Sequence, residues 1–200
     1  MASSGAVLRG GRGAVPTRGG LTRSRIIEQT ARLCRERRGG GISVAEIAEA
    51  AGVFPNLITH HFGSKDSLLV HGAFFALLHD AERLESIGDR AISVQAFRRA
   101  LARTALALPS LPAVARALSL GIARDDLGPV VDGHLKLLFR QSESFVRRVL
   151  QQRGWRLSRP VSVEVRTFWS TALGAVLLYQ AGAAGTVSDL DLPGVLSVQA

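Results

Sequence analysis

Two hundred residues, 46% of them hydrophobic and 20% charged, supply the core of one large or two small domains, which excludes a wholly disordered chain. The formal charge is +9, and the 25 basic side chains are arginines except Lys65 and Lys136, a balance that favours a polyanionic partner, with DNA, RNA and a membrane surface all open on charge alone. A single cysteine, Cys34, excludes an internal disulfide and a cysteine-based zinc site.

In chain order, residues 1–20 are rich in glycine, serine and arginine and lack hydrophobic periodicity. They are expected to form a disordered basic arm carrying Arg9, Arg12 and Arg18, with no apolar run long enough for a signal peptide, so the chain is expected to stay in the cytoplasm. A helix is predicted from about Thr22 to Arg38, with Ile26, Thr30, Leu33 and Cys34 on one face and the glycines 39–41 ending it. Cys34 falls on that face as a small core residue rather than a redox sensor. The triple glycine is a turn and not a phosphate loop, because no GK[ST] follows it.

Ser43-Val44-Ala45-Glu46 is a capping box opening a helix that ends near Ala51, where Gly52 is free to turn left-handed. Pro55 suits the first position of the next helix, about Pro55 to His61, because its missing amide would have been unpaired there anyway. Lys65-Asp66-Ser67 opens a longer helix reaching about Ser86, with Leu68, Phe75 and Leu78 along one face. Further helices are expected near 90–108, 110–124, 127–153 and 160–184, with a short one near 188–198. Their breaks coincide with Pro109, Pro112, Pro129, Gly154, Pro160 and Gly185. With no credible strand pattern and no internal repeat, the fold class is all-α. The apolar stretch FWSTALGAVLLYQAGAAG (168–185) is a little short of a bilayer span and is expected to be a helix buried by protein, so no membrane partner is expected.

The segment EIAEAAGVFPNLITHHFGSKDSLL (46–69) is therefore two short helices meeting at a glycine turn. Ala48, Gly52 and Ile58 are spaced as a helix-turn-helix needs: a small residue at the crossing, a glycine in the turn and an aliphatic anchor beneath the second helix. The buried side would be Val53, Ile58 and Phe62, leaving Asn56, Leu57, Thr59, His60 and His61 outward for a major groove. Asn56 could pair with adenine and Leu57 touch a thymine methyl, while Thr59 and His60 can donate to phosphate or a base edge. Lys65 and Ser43, each at a helix N-terminus, are phosphate contacts, and Arg18, Arg23 and Arg25 add flanking positive charge.

Residues 22–70 resemble the DNA-binding domain of the tetracycline-repressor (TetR) family of bacterial transcription regulators. The resemblance lies in TRSRIIEQTARLCRERRGGG, ISVAEIAEAAGV and PNLITHHFGSKDSLL. It implies an all-α homodimer whose three N-terminal helices bind a palindromic operator in double-stranded DNA, and whose larger C-terminal bundle dimerises and holds a small-molecule inducer. Pro55, Asn56, Leu57, Thr59, His60, His61 and Lys65 stand at positions similar to the family's DNA contacts. Two residues depart from the pattern: Phe54 replaces the usual cap before the reading helix, and Thr59 stands where the family commonly places a phosphate-binding tyrosine.

The bland alternatives are specific. His60 and His61 point to different sides of a helix and lack a third ligand, so no metal is expected, and His61 reads equally as a packing residue. His134 falls on the face of Leu127, Val131 and Leu138, as a hydrogen-bonded core histidine or as an inducer contact. Phe75, His134, Phe139, Phe168 and Trp169 are the candidate ligand-binding residues, from an aromatic supply that also serves a core. Arg147-Arg148 reads as a solvated face and Asp125-Asp126 as a cap or turn. No nucleophile elbow, zinc motif, Walker loop or dinucleotide fingerprint occurs, so neither an enzyme nor a cofactor is expected.

The expected division is a basic arm (1–20), a helix-turn-helix domain (21–66) and a ligand-binding and dimerisation domain (67–200). Dimerisation is expected through 127–153 and 160–184, with Ala172, Gly174 and Ala175 allowing close approach and Trp169 and Leu173 supplying area. The expected function is a ligand-responsive transcriptional regulator, a repressor by family habit. The alternatives are a non-specific nucleic-acid-packaging protein and a helical small-molecule-binding protein without DNA function.

Overall fold

The structure, a computed structural model, describes residues 18–37, 41–183 and 190–200. Its helices are α1 (Arg18–Glu36), α2 (Val44–Ala51), α3 (Pro55–Phe62), α4 (Lys65–Arg90), α5 (Val94–Leu106), α6 (Leu111–Ala123), α7 (Gly128–Arg153) and α8 (Val161–Gln180). A 3-10 turn, Pro193–Val195, and a two-residue antiparallel pair, β1 (Arg156–Leu157) with β2 (Val198–Gln199), complete the described chain. Arg156 lies opposite Gln199 and Leu157 opposite Val198.

The arm expected over 1–20, with Arg9 and Arg12, lies outside the described residues up to position 17. Residues 18–20 are already the first turn of α1, which corrects the boundary. Glycine in a helix costs about 1 kcal/mol relative to alanine. Gly19 and Gly20 are carried by the rest of α1, whose Ile26, Thr30, Ala31 and Cys34 are buried. Much of that face lies against α4, and the crossing is close because α4 offers Gly72: a Cβ there would stand 2.4 Å from Thr30 Cγ2 and 3.3 Å from the backbone nitrogen of Ala31.

α4 is the central strut, touching α1, α3, α5, α6 and α7. It runs past Ser86 to Arg90 because its last turn is held from outside. Gly88 packs against Val149, and the Arg153 guanidinium donates to the carbonyls of Gly88 (2.9 Å) and Asp89 (2.5 Å). α5 accordingly begins at Val94, where the Ser93 hydroxyl caps the amide of Ala96 at 3.1 Å.

Two buried carboxylates bind distant segments. Asp80 on α4 accepts from Arg35 of α1 (3.3 Å) and from the amide of Ser110 ahead of α6 (3.2 Å). Glu164 on α8, 1% exposed, accepts from Arg159 (2.5 Å) and from both the amide (2.5 Å) and hydroxyl (2.9 Å) of Ser197. Arg159 also donates to the carbonyl of Val195. These bonds replace the short helix expected at 188–198 by a turn and a strand. Leu192, Leu196 and Val198 are buried there, and the backbone is satisfied by short turn bonds, the β1–β2 pair and side chains such as Arg98 and Glu164 rather than by an α-helical ladder.

α8 is long and apolar enough to cross a membrane by length and composition alone. Here it is a core helix: Val165, Phe168, Trp169, Ala172, Leu173, Ala175 and Val176 are buried, and it packs against α6 and α7. Trp169 donates its indole N–H to Ser142 Oγ of α7 at 2.9 Å. Trp169 and Leu173, expected to supply area to a second subunit, are thus consumed by the chain's own core, as are Ala172 and Ala175. What α8 leaves outward is a stripe with exposed Val163, Ser170 and Leu178, and Gly174 open between them.

Candidate nucleic-acid interface and ligand cavities

Local chemistry sets the α2–turn–α3 unit. Ser43 Oγ accepts the amide of Glu46 (3.1 Å), and Glu46 Oε2 accepts the amide of Ser43 (2.8 Å), closing a reciprocal cap. Those bonds, with Arg37 Nη2 2.5 Å from Glu46 Oε1, hold the Glu46 carboxyl below its ordinary range, the Ser43 amide being the largest cause. Gly52 takes φ 61°, ψ 44°, left-handed geometry that a Cβ would strain, and returns its amide to Ala48 and Glu49 carbonyls. Pro55 then opens α3, while Phe54, 78% exposed, makes no side-chain cap.

α3 buries Ile58 and Phe62 beneath it. Asn56, Thr59 and His60 are exposed, and Leu57 and His61 half-buried. The side chains of Asn56 and Thr59 form no hydrogen bond with any described residue. His61 sits edge-on to His60 (5.2 Å between ring centroids) and Phe62 (6.2 Å), which gives it packing neighbours as well as a solvent edge. α3 ends at Gly63 (φ 73°). Ser64, one place before the expected start at Lys65, caps α4 by accepting the Ser67 amide at 3.1 Å. Lys65 is exposed on the first turn, next to Asp66, which is ion-paired with Arg124 at 2.8 Å.

Arg23 departs from its expected place as flanking charge. Its guanidinium turns inward, lying 4.9 Å over the Phe62 ring, with Nη2 3.3 Å from His71 Nε2. His71 Nδ1 in turn meets His134 Nε2 of α7 at 2.9 Å, and His134 stacks on Phe74 at 5.1 Å, 4° from parallel. Arginine can only donate, so His71 accepts at Nε2, donates from Nδ1–H, and leaves His134 accepting at Nε2. Both rings are therefore neutral. Burial first, then the repulsion that a protonated His134 would add and the charge of Arg23, push His71 down to about 4; burial first, then Arg23, lowers His134. His71 had no signal in the sequence, because its partners lie 48 and 63 positions away.

The five candidate ligand residues do not form one site. Phe75 and His134 line a cleft of about 720 Å³ between α4 and α7, with Arg23 and His71 at one end. Phe168 and Trp169 line an adjoining cavity of about 30 Å³ between α4, α5, α7 and α8, which shares Leu84, Ser142 and Phe145 with that cleft and has room for a water molecule and little more. Phe139 borders neither and lies half-buried under Arg166, 5.7 Å away. A further cavity of about 480 Å³ lies between α1, α4 and α6, walled by Cys34, Leu69, Ala117 and Leu120, with Lys65 and Arg116 at its edge. Burial pushes the Cys34 thiol up to about 11, which leaves it an unreactive wall residue. No metal cluster occurs among the described residues.

Two family models match this chain. Residues 26–71 match "Bacterial regulatory proteins, tetR family" and residues 94–197 match "Bacterial transcriptional repressor C-terminal". The chain belongs to the TetR family of transcriptional regulators. No curated relative matches it. Among solved structures, this regulator is similar to a protein designated a transcriptional regulator from Rhodococcus sp. RHA1, at 27% identity and a TM-score of 0.70, over 87% of this chain and 93% of that one. A protein designated a TetR-family regulator from Mesorhizobium loti MAFF303099 shares the fold at 16% identity and a TM-score of 0.59, over 90% and 93% of the two chains. So does one from Saccharomonospora viridis solved in complex with choline, at 16% identity and a TM-score of 0.55, over 87% and 92%. The TetR-family regulator described here thus carries the family's helix-turn-helix head and C-terminal helical domain.

Proposed function

We propose that α3 reads operator DNA in the major groove through Asn56, Thr59, His60 and the edge of Leu57, with Lys65 and the Ser43 end of α2 on flanking phosphates. The observation that carries this is the division of α3 into a buried apolar side, Ile58 and Phe62, and a polar edge whose Asn56 and Thr59 have no partner among the described residues. Such an edge supplies base-specific donors and acceptors, and the helix N-termini supply phosphate contacts.

The working unit is a homodimer, which sets two reading heads about 34–36 Å apart on a palindrome. The outward stripe of α8 through Val163, Ser170, Gly174 and Leu178 supports it as the dimer surface. The head covers about residues 18–66 and the bundle 67–200, with α4 as the connector. A small molecule held by the bundle shifts the population towards a dimer whose heads no longer match the groove. The choline complex of the S. viridis protein supports ligand binding by this fold. The chain acts in the cytoplasm and is not an enzyme.

The test is a binding assay on DNA from the gene's own neighbourhood, with random duplex as competitor. Specific binding is expected. Asn56→Ala lowers it by about 1–3 kcal/mol without changing the melting temperature, whereas Lys65→Ala weakens every duplex and reduces the salt slope by about one. Equal affinity for any duplex would instead identify a packaging protein, and none at physiological salt a ligand-binding protein without DNA function. A monomer in sedimentation at micromolar concentration would remove the dimer.

A further inference from the structure

The cleft between α4 and α7 ends at a cation that lacks a counter-ion. The half-buried Arg23 guanidinium bonds His71 and lies over Phe62, and among the described residues no carboxylate pairs with it. The acidic groups of the same cleft are engaged: Glu85 holds Arg148 at 3.2 Å, and Glu82 lies 3.5 Å from His79. Both histidines beside Arg23 are held neutral, so its charge is not shared with a partner. Beside Arg23 the cleft offers an apolar wall, Phe75 36% exposed with Leu78 and Leu137 near it, while Arg140, Gln141 and Ser144 stand among its polar lining. A volume of about 720 Å³ is within the range of small-molecule sites.

We propose that this cleft binds a small organic carboxylate, its head on Arg23 and its aliphatic or aromatic body along Phe75, Leu78 and Leu137, and that binding draws the guanidinium off Phe62 at the end of the reading helix. The inference deepens the inducer reading given above and rests on it. A carboxylate offers the guanidinium two parallel charge-assisted bonds in place of one neutral bond of 3.3 Å and a ring contact. Arg23 stands on α1, Phe62 on α3, His71 on α4 and His134 on α7, so a head group at this one point touches the contacts that join the head to the bundle.

Calorimetry on the full chain tests it with 4-phenylbutyrate and decanoate, their uncharged alcohols 4-phenylbutanol and decanol, and choline. The carboxylates are expected to bind at least about tenfold more tightly than the alcohols, and Arg23→Gln to cut that preference to about twofold with alcohol affinity unchanged. Ring resonances of His71 and His134 should titrate at higher pH with carboxylate bound. Alcohols binding as well as carboxylates, choline alone binding, or a preference that survives Arg23→Gln would overturn the proposal. Should Arg23→Gln lower the melting temperature, Phe75→Ala takes its place: a loss for carboxylate and alcohol alike is expected, and no loss overturns the site. Calorimetry needs no DNA, so a failure of operator binding would sink the regulator reading separately. Carboxylate that binds yet leaves operator affinity unchanged would break the proposed link through Phe62.

Discussion

In the reading head, α2 and α3 are eight residues each and are started and stopped by their own neighbours: the Ser43–Glu46 box, left-handed Gly52, Pro55 and Gly63. In the bundle, α7 and α8 run for 26 and 20 residues from Leu127 and Pro160, neither of which offers a side-chain cap. Pro129 and left-handed Gly154 bound α7 locally, but what holds the two helices in place is distant: Trp169 on Ser142, Glu164 on Ser197, and Arg153 on the end of α4. Helices of eight residues are not stable alone in water, so the head, whose α3 itself starts without a side-chain cap, leans on α1 and α4 as well as on its local stops. The long helices need few local devices, because burial of their faces outweighs a missing cap.

That contrast can be broken at four points. Trp169→Ala removes the largest of the fully buried side chains and its indole bond, and should destabilise the chain by about 3–5 kcal/mol, read as a shifted urea midpoint. A change below that of a lost cap would mean the bundle does not depend on its interior. Gly72→Ala, which forces a methyl into Thr30 and the α1 backbone, should cost about 1–3 kcal/mol and loosen the head against α4, seen as faster amide exchange along α1.

Acid provides the third. Between about pH 6.5 and 4 the unfolded chain takes up a proton that folded His71 refuses, so stability is full above that window and is lost as pH falls through it. The half-exposed ring is screened by water, so the loss should be smaller than that of Gly72→Ala, and His71→Asn should flatten the slope in pH-dependent melts. Ser43→Ala is the mildest, about 1 kcal/mol from the missing cap, and should fray α2 alone. If it melted the bundle equally, head and bundle would be one cooperative unit with no difference in how they are held.

The limits of the head were legible because their causes lie within four residues: a serine three before a glutamate, a glycine after an alanine run, a proline one place into a helix. Cys34 was legible as core for the same reason, since helical spacing set it beside Ile26, Thr30 and Leu33. Around the cavities the causes lie far apart in the chain. Arg23 read as flanking charge, yet Phe62 and His71, 39 and 48 positions further on, supply an aromatic face and an acceptor that turn it inward. Periodicity sets Phe75 on one face with Leu68, but Leu68 is fully buried whereas Phe75 stays 36% exposed in the cleft where α4 meets α7.

The amino-acid order by itself determined the all-α class, the punctuation of α2 and α3, and the polar edge that α3 carries, because caps, turns and helical periodicity act over a few residues. Tertiary structure alone decided that Trp169 and Leu173 face this chain's own core, that 190–200 forms a turn and strand pinned to Glu164, and that Arg23, His71 and His134 meet. Those outcomes depend on which faces of the long helices find each other, a choice made by packing and by distant hydrogen bonds that no local pattern encodes.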